Sequence, residues 1–218
     1  MSSTGRSDVR HVNDFYTTPS WCVEAIAKYI QRDMVTKLAY PPAFKIIDPG
    51  AGCGNITFAL HETLGEEIKG RVYEGIERVP IQYSLVENDL GLVSQLMQNA
   101  KDKGYNKDLV SNMDFFQWSE NETFNYAIGN PPYNLAMEFV EKALKVSLNV
   151  IFLLRIDFLG SLKRGKWYRN VVGEPDIYVL ERRPSFTGDG STDSNNYAWF
   201  WWTRYKNAVG HVRHLPCP

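Results

Sequence analysis

Residues 130–133 read Asn-Pro-Pro-Tyr, directly after the apolar run Phe124-Asn125-Tyr126-Ala127-Ile128. A carboxamide, two prolines and a phenol at the end of a strand suit one chemistry, the gripping of a planar substrate that carries an amino group. The Asn130 side chain and the Pro131 carbonyl can each accept a hydrogen bond from one NH2. Pro131 and Pro132 stiffen the loop by fixing φ and removing donors, and the Tyr133 ring can stack on the flat face of the substrate. The competing reading is a plain strand-terminating turn, because Asn-Pro and Pro-Pro commonly mark loops.

A second motif lies upstream. Phe44-Lys45-Ile46-Ile47 reads as a short buried strand, followed by Asp48-Pro49-Gly50-Ala51-Gly52-Cys53-Gly54 and a helical run from Asn55 to Leu64. Strand, glycine-rich turn and helix open a nucleotide-binding α/β unit. The spacing is Gly-x-Gly-x-Gly rather than the dinucleotide Gly-x-Gly-x-x-Gly. Gly50, Gly52 and Gly54 let the backbone approach a ligand closely, and Asp48 can accept from an ammonium group or a ribose hydroxyl.

In this order the two motifs resemble those of the S-adenosylmethionine-dependent amino-methyltransferases, especially the DNA adenine-N6 group, over roughly residues 14–202. The resemblance implies S-adenosyl-L-methionine as cofactor and methyl transfer to the N6 amino group of adenine, with the base flipped out of a duplex. It also implies an α/β fold: a doubly wound, Rossmann-like sheet, mostly parallel with an antiparallel last strand. Phe15-Tyr16-Thr17-Thr18-Pro19 resembles the family's aromatic-Thr-Pro segment, which implies that Phe15 and Thr18 close over the methionine end of the cofactor; alone, they read as an N-cap and a core aromatic.

Ligands of open α/β sheets sit beyond the carboxyl ends of the strands. A second strand expected near Arg71–Ile76 puts Glu77 at such an end, where it can accept both ribose hydroxyls, with Glu74 as the alternative. Asp114 follows the third strand and can accept from an adenine amino group, with Phe115 or Ile76 packing on the ring. Taken singly, these acids read as surface carboxylates.

The net charge of −1 gives no global signature of nucleic-acid binding, but it is unevenly spread. Residues 1–150 hold 14 Lys+Arg against 19 Asp+Glu, and residues 151–218 hold 10 against 6. Lys163-Arg164-Gly165-Lys166-Trp167-Tyr168-Arg169 mixes cations with aromatics, as nucleic-acid surfaces often do. Lys163, Arg164, Lys166 and, after the next strand, Arg183 are candidates for phosphate contacts, and Phe186 for flanking a flipped base. The competing reading is a charged helix and a mobile loop.

The elements that must position these groups follow from pattern. Thr18-Pro19-Ser20 starts a helix that runs to about Lys37. Residues 82–103 read as a longer helix, 109–113 and 124–128 as strands, and Asn134–Val146 as an amphipathic helix capped by Asn134. Val150–Leu154 is a continuous apolar run suited to a central strand. A short helix and strands at Asp176–Leu180 and Tyr197–Trp202 follow, with the tryptophans assigned to the core.

At 218 residues the chain suits one α/β domain, placed at 14–205 between tails at 1–13 and 206–218. No separate target-recognition domain is expected, so specificity falls to a short site, the two basic loops, a homodimer or a specificity partner. There is no apolar run of membrane-spanning length, no signal-peptide core, and no disulfide framework among three cysteines. These features suit the cytoplasm of a bacterium, an archaeon or a phage-infected cell, as in a restriction-modification or phage enzyme. No metal is expected, since His211, His214 and Cys217 alone make a weak zinc site. The alternatives are methylation of RNA or of a protein glutamine, and a non-catalytic binding subunit.

Overall fold

The glycine-rich turn anchors the architecture. In the computed structural model, which describes residues 17–39, 41–72, 75–105, 109–119, 123–187, 192–204 and 210–216, β1 (Phe44–Pro49) runs into that turn and α2 (Asn55–Leu64) leaves it. α1 (Ser20–Thr36) precedes β1 and buries Val23, Ile26, Ile30 and Met34 on one stripe. The strands β2 (Glu67–Val72) and β3 (Gly75–Glu87), the helix α3 (Leu90–Asp102) and the short β4 (Val110–Asn112) follow. Next come β5 (Phe124–Gly129), α4 (Ala136–Val146), β6 (Ser147–Arg155) and α5 (Leu162–Trp167). β7 (Asp176–Leu180), β8 (Tyr197–Thr203) and β9 (Val212–Leu215) complete the described elements.

The strands join in the order β2-β3-β1-β5-β6-β8-β7-β9, with β4 beside the carboxyl end of β3. β4, β3, β1, β5 and β6 are mutually parallel along the sheet, and β8 is antiparallel to both β6 and β7. This is the expected doubly wound, mostly parallel α/β sheet with an antiparallel strand at its end. Residues of α1, α2 and α3 share one core with Tyr126, Trp199 and Trp201 of the sheet; residues of α4 and α5 share the other with Ile47, Phe152, Phe200 and Trp202. Helices thus change face between β1 and β5, and at such a switch the loops part and leave a crevice. Burial on both faces explains the unbroken apolar run Val150–Leu154.

Three segments differ from the sequence-based expectation. The strand expected at 71–76 and the helix expected at 82–103 are replaced by a β2–β3 hairpin, a 13-residue β3 and a later helix. Val79, Tyr83 and Leu85 of β3 are buried and Ile81 between them is half-buried, an every-second-residue strand periodicity that runs into what read as a helix. Asp89 then starts α3, its side chain accepting from the backbone N–H of Gly91 and Leu92. α4 begins at Ala136 rather than at an Asn134 cap, because residues 133–135 form a tight 3-10 turn. The segment 206–218, expected as a tail, supplies β9, paired parallel with β7.

Candidate functional site

A cavity of about 620 Å³ opens at the carboxyl ends of β3, β1 and β5. The glycine turn forms one wall. Gly50 and Gly52 have φ of +75° and +55°, which glycine adopts without strain, and both line the cavity. The turn is tied to the end of β3: the N–H groups of Gly50 and Ala51 donate to the Val86 carbonyl at 2.8 and 3.0 Å, and Gly52 N donates to Glu87 Oε2 at 2.8 Å. Glu87 Oε1 accepts from Asn88 N and Asp89 N at 2.9 and 3.0 Å. These bonds hold a nearly buried carboxylate on the cavity wall in one orientation.

The acidic residue at the end of the second parallel strand is therefore Glu87, in place of the expected Glu77. Glu77 lies opposite Gly70 in the hairpin, ten residues before the strand reaches the cavity. Its side chain, that of Ile76, and residues Glu74 and Phe15 lie outside the described residues. The signal for Glu87 was present in the alternation of Ile81-Gln82-Tyr83-Ser84-Leu85.

Asp48 sits beneath the glycine turn and does not line the cavity. It is 2% exposed and accepts from Thr57 Oγ1 at 2.9 Å, while its Oδ1 is buried without a protein partner. Burial, helped by the nearby Glu87 charge and opposed by the Thr57 bonds, pushes its carboxyl up to about 7. Against an unfolded value near 4, the folded state holds the extra proton between about pH 4 and 7. The stabilisation is complete below about pH 4 and is lost as the pH rises through about 7, at about 1.4 kcal/mol per pH unit inside the window. D48N should remove this dependence: in urea unfolding, wild type should lose stability relative to D48N from pH 4 to 7 and run parallel to it above.

Opposite the glycine turn, Asp114 follows β4 and lines the cavity with Phe115 and Phe116. Asp114 Oδ1 accepts from Phe116 N at 2.8 Å, fixing the turn. Phe115 stacks on Phe139 of α4 at 5.4 Å, and Phe116 meets the same ring edge-on at 5.0 Å. The result is an aromatic wall beside two carboxylates. Phe116, Phe139 and Leu135 of this wall were not candidates from sequence, since their convergence depends on the crossover.

The third side is the Asn130 loop. Asn130 Nδ2 donates to Thr18 Oγ1 at 3.2 Å, and Thr18 is 3% exposed. The other atom of the amide, Oδ1, is buried without a protein partner. Asn130, Pro132 and Thr18 line the cavity, whereas Pro131 and Tyr133 do not. The Tyr133 ring packs against Tyr197 at 5.9 Å, and Tyr197 donates to Asp193 Oδ2 at 3.1 Å. Phe186, expected to flank a base, is buried edge-on against Tyr197 at 5.0 Å and does not line the cavity. Because Thr18 holds one end of the buried Asn130 amide, T18V should lower stability by roughly 0.5–1.5 kcal/mol, the net worth of one such bond. T18S should stay close to wild type, which urea unfolding of the two variants checks.

Of the expected phosphate contacts, Lys163 and Lys166 are exposed, and Arg183 Nε donates to Asn196 Oδ1 at 3.1 Å. Arg164 is turned inward, donating to the carbonyls of Asp157 and Gly160 at 3.0 and 3.2 Å, so it serves its own turn. His211 is engaged by Asp176 at 3.1 Å, Cys217 lies outside the described residues, and among the described residues no metal-binding cluster of His, Cys, Asp and Glu occurs. No described helix is long and apolar enough to cross a membrane.

No family model and no curated protein matches the chain in sequence. Solved structures do match in shape. A type I restriction-modification system methyltransferase subunit from Streptococcus thermophilus aligns with a TM-score of 0.67 at 12% identity, over 88% of this chain and 45% of that one. A Listeria monocytogenes protein assigned to the class I S-adenosylmethionine-dependent methyltransferases aligns with a TM-score of 0.63 at 12% identity, over 94% and 68%. The fold is that of the class I methyltransferases. The same fold is seen in magnesium protoporphyrin IX methyltransferase from Synechocystis, solved with bound S-adenosylmethionine (TM-score 0.51, 11% identity, 83% and 79% covered). In a class I methyltransferase fold, the cavity found here occupies the crevice at the switch between β1 and β5.

Proposed function

We propose that the chain is an S-adenosylmethionine-dependent methyltransferase that acts on the N6 amino group of adenine in DNA. The observation that carries this reading is the Asn130 Oδ1 atom: a buried, unpartnered acceptor, held by Thr18 at the end of β5 in an Asn-Pro-Pro-Tyr loop. A buried acceptor without a donor costs roughly 1–3 kcal/mol, and an amino group entering the cavity removes that cost.

The cavity suits the cofactor. Its volume is in the range of small-molecule sites. The glycine turn offers close backbone approach, Glu87 suits ribose hydroxyls, and Asp114 with Phe115 suits an amino-bearing aromatic ring. Asp48, with a free carboxylate oxygen beneath the turn, favours a positive charge above it. When bound, S-adenosylmethionine supplies an electrophilic methyl group on a sulfonium that is already a good leaving group, so alignment is the main demand on the protein. Asn130 Oδ1 and the Pro131 carbonyl accept hydrogen bonds from the adenine NH2. Two acceptors draw the nitrogen lone pair out of conjugation and stabilise the positive charge that develops there. In duplex DNA the base must first leave the stack to reach Asn130.

The likeness to a restriction-modification methyltransferase subunit supports a DNA substrate and a specificity partner. The test is transfer of tritium from labelled S-adenosylmethionine to duplex DNA, single-stranded DNA, RNA and protein extract, followed by nucleoside mass spectrometry. Label in N6-methyladenine of DNA is the expected result. Label confined to RNA or to protein glutamine would keep the chemistry of Asn130 and overturn the DNA assignment.

A further inference from the structure

We propose that the turn from Ile156 to Arg164 is a wedge that inserts Leu162 into duplex DNA beside the target adenine, filling the stack while the base lies in the cavity. The inference rests on the DNA reading above and adds to it a means of holding the base out.

Leu162 is 77% exposed, more than any other large apolar side chain among the described residues, and Leu159 beside it is 40% exposed. A single exposed leucine is ordinary; the way this one is held is not. Gly160 N donates to the Asp157 carbonyl at 3.1 Å, and Gly165 N to the Ser161 carbonyl at 2.9 Å. Ser161 Oγ accepts from Arg164 N at 3.1 Å. The Arg164 guanidinium spans the turn from within, bonding two of its carbonyls and lying 4.7 Å from the centre of the Phe158 ring. Phe158 is buried, and Arg155 grips Asp157 at 2.7 Å. A turn locked at its base displays Leu162 without a further ordering cost when it binds.

Position and charge name the partner. β6 lies beside β5 in parallel register, with Phe152 opposite Gly129. Arg155 is thus three residues beyond the level of Gly129, about 10 Å further along the strand direction, on the side of the sheet where the Asn130 loop opens. Lys163, Lys166 and Arg169, one, four and seven residues after Leu162, are exposed and form no ion pair among the described residues. An exposed apolar tip followed by exposed cations matches a polyanion whose interior is apolar. Apolar side chains pushed between base steps are an established way to offset unstacking.

The test compares wild type with L162A on a DNA fragment whose modified adenine has been mapped, as duplex, as single strand, and as duplex with a mismatch opposite that adenine. L162A should lower the ratio of duplex to single-strand turnover by roughly tenfold, and the mismatch, which weakens the pair beforehand, should restore most of the loss. Thermal melting of L162A should match wild type, since the side chain packs on little. An unchanged ratio, or a duplex loss that the mismatch fails to restore, overturns the wedge while leaving the adenine reading intact. A wild-type enzyme that methylates single strands but no duplex overturns the wedge alone, and one that methylates no DNA overturns both.

Discussion

Replacing Asn130 with alanine should lower turnover by roughly 10²–10³-fold, the usual cost of removing one preorganised group from a transition state, while cofactor affinity stays within a few-fold of wild type. The amide bonds Thr18 through Nδ2, its Oδ1 is buried without a protein partner, and the residue lines the cavity. Truncation removes the acceptor proposed to meet the amino group and leaves Gly50, Gly52, Glu87 and Asp114 in place. N130Q tests geometry apart from chemistry: it keeps the amide but moves it by one methylene, and misplacement of about 1 Å can cost roughly 10²-fold. Single-turnover kinetics with calorimetric titration of the cofactor separates the two effects. A kcat for N130A within tenfold of wild type would remove Asn130 from the catalytic role.

Replacing Gly54 with alanine should produce the largest loss of stability among the glycine-turn variants. Gly54 has φ +85°, and an added Cβ would stand 2.3 Å from Phe58 Cε2 and 2.7 Å from Leu96 Cδ1. The left-handed backbone costs a β-carbon roughly 1–2 kcal/mol, and crowding a packed site adds roughly 1–3 kcal/mol. Gly65 is the internal control, at φ +78° with nothing within 4 Å of an added Cβ. G65A should show the backbone cost alone, so the gap between the two variants in urea denaturation measures the crowding. Equal losses would mean that Phe58 and Leu96 yield freely.

The parts of this fold legible in sequence are those where local pattern and tertiary role agree. β1, the glycine turn and α2 fall where glycine spacing and periodicity put them, and β7 is bounded by Pro175 and a charged Glu181-Arg182-Arg183 run. Between residues 67 and 102 the two signals compete. Leu85, Leu92 and Leu96 satisfy a helical stripe, yet Leu85 ends an alternating strand and the other two belong to the next element. That slip carried the acidic candidate from Glu87 to Glu77. β9 was illegible for a different reason: three of its four residues are exposed, and only Leu215 is buried. In the site, sequence order indicated that Asp114, Phe115, Asn130 and the glycine turn share one end of a sheet. It carried no trace of the Thr18–Asn130 bond, formed by side chains 112 residues apart. Nor did it show that Arg164 spends its donors on its own turn.

Cys53 lies on the cavity wall within the glycine turn, 6% exposed, with its thiol held above the ordinary range by burial and by the charge of Glu87. A buried, protonated thiol is a poor nucleophile. Its reaction with a small alkylating reagent should therefore be slow, at a rate that reports how tightly the turn is packed. Labelling of Cys53 should slow further when a ligand fills the cavity and speed up in G54A, which mass spectrometry of the modified peptide would time directly.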